Sequence, residues 1–563
     1  MKLNEKWGWF LGFTAVFAAL AGFVFWGTWS LDFAPVMPDC PFMYDSDDVA
    51  GIFRGMFASG RFNPVELYRF LGSPYFWQEL QYVLGLYGAA LGVAYYCRGR
   101  GLSRLASYGA GLLLAFSGYW CTLFSAGHLG WFLWMSCGVF AFGLADRAVR
   151  KGKLRHWLLL GACEAWASCY QADLWFLFAV FTGAYFIWCC VRERKLPWKG
   201  AILSAAVFFL VGAPYIRSAF VNDLASRDRQ IEAGETVSEK DKALGDEREK
   251  RWIFVTNWSL PPAESAEFFI PRLNGDTSCP MTLSLAARYG RGTRQYTGAL
   301  GRPKDAPSGN YRQHSLYVGF VTCLLALVGI VCAFVDAASS PRLKEDDSRF
   351  VSDAARRCVY DVAFFAVAAL LCWLFSMGRY CEPVYRVIFS LPFGDYLRAP
   401  VKWHHLTEFS ICILAGYGIE SLKFKVQSSK FGRVSRFAPW IIGAVVLIGA
   451  IDLARVDHLY CAPIDFREAK RQNCSMQMTF LRKADFSNPQ IAAMVRQKKI
   501  VALAQPNPEV YLVGVLNPWE KKTDKPWPPM GLPIWLGLLS AVGTLAVAAY
   551  AVCSLRGDRR VRS

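Results

Sequence analysis

The sequence predicts an all-α polytopic membrane protein with about twelve transmembrane helices and external loops that form a small cap. Three observations carry that expectation. Of 563 residues, 54% are hydrophobic and only 19% charged, against ~25% charged in an average soluble domain. The apolar residues fall in blocks of roughly 18–22, close to the ~20 that cross a bilayer core as helix. Lys and Arg crowd into alternate segments between those blocks. A soluble enzyme, a disordered chain and a disulfide-stapled secreted domain are excluded on the same grounds.

The spans fall near 8–28, 78–97, 105–121, 128–145, 157–169, 174–191, 201–216, 315–336, 358–377, 404–422, 437–454 and 532–555. Seven segments would share the side of the N-terminus: 1–7, 98–104, 146–156, 192–200, 338–357, 423–436 and 556–563. Together they hold 28 Lys or Arg in 76 residues, whereas the opposite turns 122–127 and 170–173 hold none. Cytoplasmic loops accumulate Lys and Arg, so both termini are expected in the cytoplasm. The net charge of +18 then reads as topology, with anionic membrane lipids as its counter-charge, and a nucleic-acid partner is discarded. Two spans are polar or short: 157–169 carries Glu164, and 404–422 carries Glu408 and Glu420. Omitting either would invert every later loop and break the charge pattern.

The resulting organisation is an N-terminal bundle over 1–216 with an external loop at 29–77. An external region follows at 217–314, then a second bundle at 315–455 with an external segment at 378–403. Residues 456–531 are again external, and 532–563 form the last helix with a short basic cytoplasmic tail. The first span reads as a retained anchor, since no small-residue cleavage site follows it. Residues 222–251 are highly charged, and 301–313 and 505–529 are rich in Pro, Gly and Asn. Such loops are expected to cap the bundle rather than form an independent catalytic domain. Of the eighteen cysteines, Cys40, Cys279, Cys381, Cys461 and Cys474 lie outside the spans, and their pairing stays open. No spacing suggests structural zinc.

Two polar concentrations carry the chemistry. The first external loop holds Asp39, Asp45, Asp47 and Asp48. Clustered carboxylates coordinate a divalent cation or deprotonate a hydroxyl, and they also cap helices as solvated loop residues. Just before the span at 404–422, Arg398, Lys402, His404 and His405 lie within eight residues. Guanidinium and ammonium groups there suit a phosphate headgroup, although Arg and Lys also snorkel at span ends. Glu408 follows His404 by four residues and would share its helix face. His128, Gln171 and Asp173 reach the same side of the membrane.

The stretches WSLPPAESAEFFIPRLNG and QHSLYVGFVTCLLALVGI, with LGSPYFWQELQYV, FSAGHLGWF, YQADLWF and LPFGDYLRAPVKWHHLTEF, occur in an order that resembles the bacterial YfhO-type membrane proteins. That family belongs to the GT-C superfamily of lipid-linked sugar glycosyltransferases. The resemblance runs from the first span to about residue 455. It implies a GT-C-like bundle in a bacterial inner membrane, an inverting transferase, and a sugar on polyprenyl phosphate as donor. The acceptor would be an envelope glycan, lipid or protein. By the same resemblance the catalytic acid lies within Asp45, Asp47 and Asp48, with Mg or Mn conceivable on Asp45 and Asp47. Arg398 and Lys402, with His404 and His405, would bind the donor phosphate, and His128, Gln171, Asp173 and Glu408 would line the site. Many such enzymes carry a soluble domain after the last span, where this chain has eight residues, so acceptor selection would fall to the external loops. A transporter or flippase of lipid-linked sugars, and a non-catalytic envelope-assembly scaffold, are the competing readings.

Overall fold

A computed structural model describes residues 2–28, 33–35, 56, 74–120, 130–169, 172–218, 247–274, 315–339, 349–392, 394–428, 434–459, 461, 463–465, 474–507, 510–518 and 530–560. In chain order, α1 (Lys2–Val24) leads to strand β1 (Phe33–Pro35), then α2 (Pro74–Gly99), α3 (Arg104–Ala115), α4 (Gly130–Lys151), α5 (Leu154–Ala167), α6 (Ala172–Glu193) and α7 (Trp198–Ser218). The segment between the two bundles contributes α8 (Glu247–Val255). The second bundle comprises α9 (Phe320–Ser339), α10 (Arg349–Ser376), the short α11 (Glu382–Phe389), α12 (His404–Ser428) and α13 (Val434–His458). After β2 (Pro463–Asp465) come β3 (Cys474–Arg482), α14 (Pro489–Arg496), β4 (Ile500–Asn507), β5 (Val510–Pro518) and the last helix α15 (Leu532–Arg560).

Each apolar block of the sequence lies on a helix. Seven helices among the described residues are long and apolar enough to cross a membrane: α1, α2, α6, α7, α10, α13 and α15. Their outer faces present large apolar side chains, among them Val191, Phe209, Trp440 and Leu545, each more than half exposed. Exposed surface of that kind belongs in lipid rather than water.

Helix α12 shows why hydropathy alone undervalues some helices. Its first half is almost wholly buried, and α9, α10, α3 and α13 pack around it. A helix surrounded by protein tolerates His, Thr, Ser and Glu because neighbours, not lipid, meet its polar groups. Its crossing with α9 is closed by glycines. A Cβ on Gly418 would lie 1.9 Å from the Leu325 carbonyl oxygen, and one on Gly329 2.5 Å from that of Leu414. Small residues let helix backbones approach this closely. Gly418→Ala is therefore expected to force the helices apart and lower stability by about 1–3 kcal/mol, the usual range for overpacking. A thermal melt of the purified protein in detergent, compared with wild type, measures it.

The end of the bundle shared with the N-terminus is tied by charge. Arg100 at the exit of α2 meets Asp361 of α10 at 2.5 Å and Asp146 of α4 at 3.3 Å. Arg192 of α6 bridges the same two carboxylates, lying 3.0 Å from Asp146. Arg150 adds a 2.6 Å contact to Asp146, and the Tyr417 hydroxyl of α12 donates to Asp361 at 3.0 Å. Arg100, Asp146, Arg192 and Asp361 are at most 5% exposed. Five helices thus share one ionic knot.

The segment after α13 departs from the all-α expectation. Strands β3, β5 and β4 form an antiparallel sheet in that order, with Met478 opposite Gly514 and Val501 opposite the same Gly514. Pro506 and Asn507 close β4 just ahead of β5. That turn chemistry dominates the composition and conceals strands eight and nine residues long. A second pairing joins β1 to β2, with Ala34 opposite Ile464. It ties the segment after α1 to the segment after α13, whose ends already meet where His458 Nδ1 contacts the Val24 carbonyl at 3.0 Å.

Candidate functional site

The site is built where the start of α12 meets the stretches 252–274, 315–318 and 376–403, at the end of the bundle opposite the ionic knot. The chain enters α12 through Ala399, which is left-handed (φ 64°), followed by Pro400 in a short 3₁₀ turn, Pro400–Trp403. Facing it, Trp258 is also left-handed (φ 57°). Such non-glycine conformations cost about 1–2 kcal/mol each and persist only where the surroundings impose them. Here two cross-segment bonds do so: Ala399 N donates to the Val255 carbonyl (3.1 Å) and Val401 N to that of Trp258 (3.2 Å).

Further ties lock the frame. Leu260 N donates to the Ser376 carbonyl at 2.9 Å. Arg379 reaches the same stretch three times at 3.1 Å, donating to Ser259 Oγ, the Thr256 carbonyl and Asn257 Oδ1. The Tyr385 hydroxyl donates to the Leu397 carbonyl at 3.2 Å, and burial pushes its phenol up, so it stays a neutral donor.

On this frame stand two half-buried cations. The Arg398 guanidinium lies 4.3 Å from the Trp258 ring centre and 4.8 Å from that of Phe254, so its plane is oriented by cation–π contact. Lys402 follows one turn later and is likewise half-buried. Behind them His404, His405 and Glu408 are fully buried. His404 Nε2 and His405 Nδ1 each lie 3.8 Å from a Glu408 carboxylate oxygen, too long for a direct hydrogen bond. Glu408 Oε1 accepts from Tyr119 N at 3.2 Å, which pins α12 to the residues just after α3. Tyr119, Trp120 and Phe268 ring the imidazoles at centroid distances of 4.4–5.3 Å.

The structure thus gathers Arg398, Lys402, His404, His405 and Glu408 at one place. Asp173 falls in the first turn of α6, with its side chain outside the described residues. Asp45, Asp47, Asp48, His128 and Gln171 also lie outside the described residues. Among the described residues no group of three or more His, Cys, Asp or Glu side chains could hold a metal ion.

One polar pair at this end escaped sequence reasoning. Glu79, near the start of α2, is 1% exposed and accepts a 2.6 Å hydrogen bond from the Thr28 hydroxyl, just past α1. A lone glutamate in an apolar run is the signal that marks it. The pair brackets the loop that carries the Asp cluster in sequence.

Fold and site together define a multi-pass helical membrane protein with a framed, half-buried pair of cations at one end. No family model matches the chain, and no curated protein matches it. Among solved structures, that of ArnT from Cupriavidus metallidurans bound to undecaprenyl phosphate is similar over 89% of this chain and 98% of that one, at 13% identity and a TM-score of 0.26.

Proposed function

We propose that the protein is an integral membrane glycosyltransferase that moves a sugar from a polyprenyl-phosphate donor to an envelope glycan, lipid or protein acceptor. The observation that supports this reading is the pair Arg398 and Lys402, held half-buried on a doubly strained frame against the lipid-facing bundle. Cations fixed in that way match a phosphate headgroup that arrives from the bilayer. In the same reading α3, α4, α5, α9 and α12 also span. The cation pair then faces the extracytoplasmic side, both termini face the cytoplasm, and the membrane is a bacterial inner membrane.

The chemistry follows from charge. A carboxylate among Asp45, Asp47 and Asp48 takes the proton of an acceptor hydroxyl as its oxygen attacks the anomeric carbon. The bond from that carbon to the phosphate oxygen breaks, and polyprenyl phosphate leaves with the electron pair, stabilised by Arg398 and Lys402. Attack opposite the leaving group inverts the anomeric centre. His404, His405 and Glu408 stand behind the cations and hold the start of α12 in register. His128, Gln171 and Asp173 complete the site wall. Chelation with EDTA reads whether Mg²⁺ or Mn²⁺ on Asp45 and Asp47 takes part.

The experiment is transfer by purified protein in liposomes containing extracted lipid-linked sugars, scored for glycosidic product and, separately, for lipid translocation. Product formation supports the reading. Translocation without product makes the protein a flippase, and neither makes it a scaffold. Arg398→Ala is expected to weaken donor use by roughly 10–100-fold, the loss typical of one charge-assisted phosphate contact. The rise should appear mainly in KM for the donor, measured against lipid concentration.

A further inference from the structure

A cleft of about 380 Å³ opens beside the ionic knot, at the end of the bundle shared with the N-terminus. Four elements wall it: the turn 99–102 after α2, the end of α4 at Arg150, α10 at Cys358 and Asp361, and the last turns of α12 over 417–424. Its walls mark its depth in the membrane. Gly99 ends the apolar stretch Glu79–Gly99 of α2, and Cys358 begins the apolar stretch Cys358–Ser376 of α10. Residues at such boundaries meet lipid headgroups rather than acyl chains. Phe424, on the α12 wall, is 70% exposed, as suits an aromatic ring at a membrane interface.

The knot leaves some of its donors idle. Arg100, only 5% exposed, commits Nε to Asp361 (2.5 Å) and Nη1 to Asp146 (3.3 Å). Arg150 directs Nε and Nη2 to Asp146 (2.9 and 2.6 Å), and Nη2 also to the Gly99 carbonyl (2.8 Å). Among the described residues Arg100 Nη2 and Arg150 Nη1 donate no hydrogen bond, and both side chains line the cleft. A buried guanidinium with an idle N–H edge is costly until a further acceptor meets it.

An acceptor and a hydroxyl on the same walls are idle too. Glu420 accepts from Ser103 N at 2.7 Å through Oε2. Its Oε1 accepts nothing among the described residues, and the neighbouring Ser421 hydroxyl makes no hydrogen bond among them. Asp361, by contrast, already answers Arg100, Arg192 and Tyr417. The cleft thus offers two guanidinium edges, one carboxylate oxygen and one hydroxyl. A head of net negative charge reaches the arginines but leaves Glu420 facing like charge, and a quaternary ammonium brings Glu420 no N–H. A phosphodiester that carries a primary ammonium satisfies both sides.

We propose that this cleft binds the head of a phospholipid that joins a phosphodiester to a primary ammonium group, drawn from the leaflet on the side of the N-terminus. The phosphate meets Arg100 and Arg150, and the ammonium meets Glu420 and Ser421. A head held there ties α2, α4, α10 and α12 together at the level where the knot already joins them. The site lies at the opposite end of the bundle from Arg398 and Lys402, and the proposal holds whether or not the protein transfers sugar.

The test is native mass spectrometry of the full-length protein, delipidated and then given equimolar phosphatidylethanolamine, phosphatidylglycerol and phosphatidylcholine. Phosphatidylethanolamine is expected to bind about tenfold more tightly than either of the others, the ratio that a single charge-assisted hydrogen bond supplies. Glu420→Gln keeps an acceptor for Ser103 N and removes the charge, so the fold persists while the preference for ethanolamine over choline disappears. Ser421→Leu fills the cleft without breaking a hydrogen bond among the described residues, and should lower phosphatidylethanolamine to the level of the other two. Glycerophosphoethanolamine, the same head without acyl chains, should displace none of the bound lipid at equal concentration. Displacement by it would make the ligand a soluble compound and overturn the lipid as its source. Equal binding of the three lipids, a preference for phosphatidylglycerol, or a preference that survives in either variant overturns the site.

Discussion

Asp47→Asn is expected to abolish sugar transfer, by about 10²–10⁴-fold, while expression and membrane insertion stay at wild-type levels. The magnitude is that of losing a general base from a reaction whose nucleophile must shed a proton. Asparagine preserves size and hydrogen bonding but cannot take the proton. Asp45→Asn provides the comparison, because neighbouring carboxylates can share the role. A product assay on both variants settles the assignment, and full activity in both would discard the Asp loop as the base. The prediction is independent of the cation pair: Arg398→Ala should act on donor affinity, Asp47→Asn on turnover.

The second large effect concerns stability. Asp361 is 1% exposed and answers two guanidinium groups, Arg100 and Arg192, from two other helices. Asp361→Leu leaves Arg100 buried with Asp146 alone, which Arg150 and Arg192 also share, and Arg192 with Asp146 and Glu193. Stranding a buried charge in this way costs about 3–5 kcal/mol. The variant should melt well below wild type or fail to accumulate in the membrane. Adding Arg192→Met removes the surplus cation with an apolar side chain of similar length, and it is expected to return much of the loss. Thermal unfolding of the single and double variants, read against wild type, gives the coupling directly. No recovery in the double variant would mean that Asp361 acts through packing rather than charge.

Helices were the most legible part of the chain, because apolar length is a local property and bilayer thickness sets its scale. Helix α12 was legible for a different reason. Its apolar character is diluted by His404, His405, Glu408 and Glu420, and only the alternation of basic loops required it. The ionic knot was invisible: Arg100, Asp146, Arg192 and Asp361 are far apart in sequence, and each alone reads as an ordinary residue at a span end. The sheet after α13 was hidden by its turn residues. The cationic segment at 398–405 could be read as one stretch, but its frame could not. Trp258 and Phe254 come from more than a hundred residues earlier and only folding brings them to Arg398, while Arg379 holds the Thr256–Ser259 stretch beside them.

The pairing of β1 with β2 has a consequence for biosynthesis. Ala34 and Ile464 are opposite one another, so the strand after α1 emerges from the ribosome more than four hundred residues ahead of its partner. Contacts of such sequence separation close late. Strand β1 therefore stays unpaired until α13 has been inserted and β2 follows it out. The Thr28–Glu79 bond can form as soon as α2 is inserted, whereas this pairing cannot. Completion of the chain to Asp465 is then what joins the segment after α1 to the segment after α13.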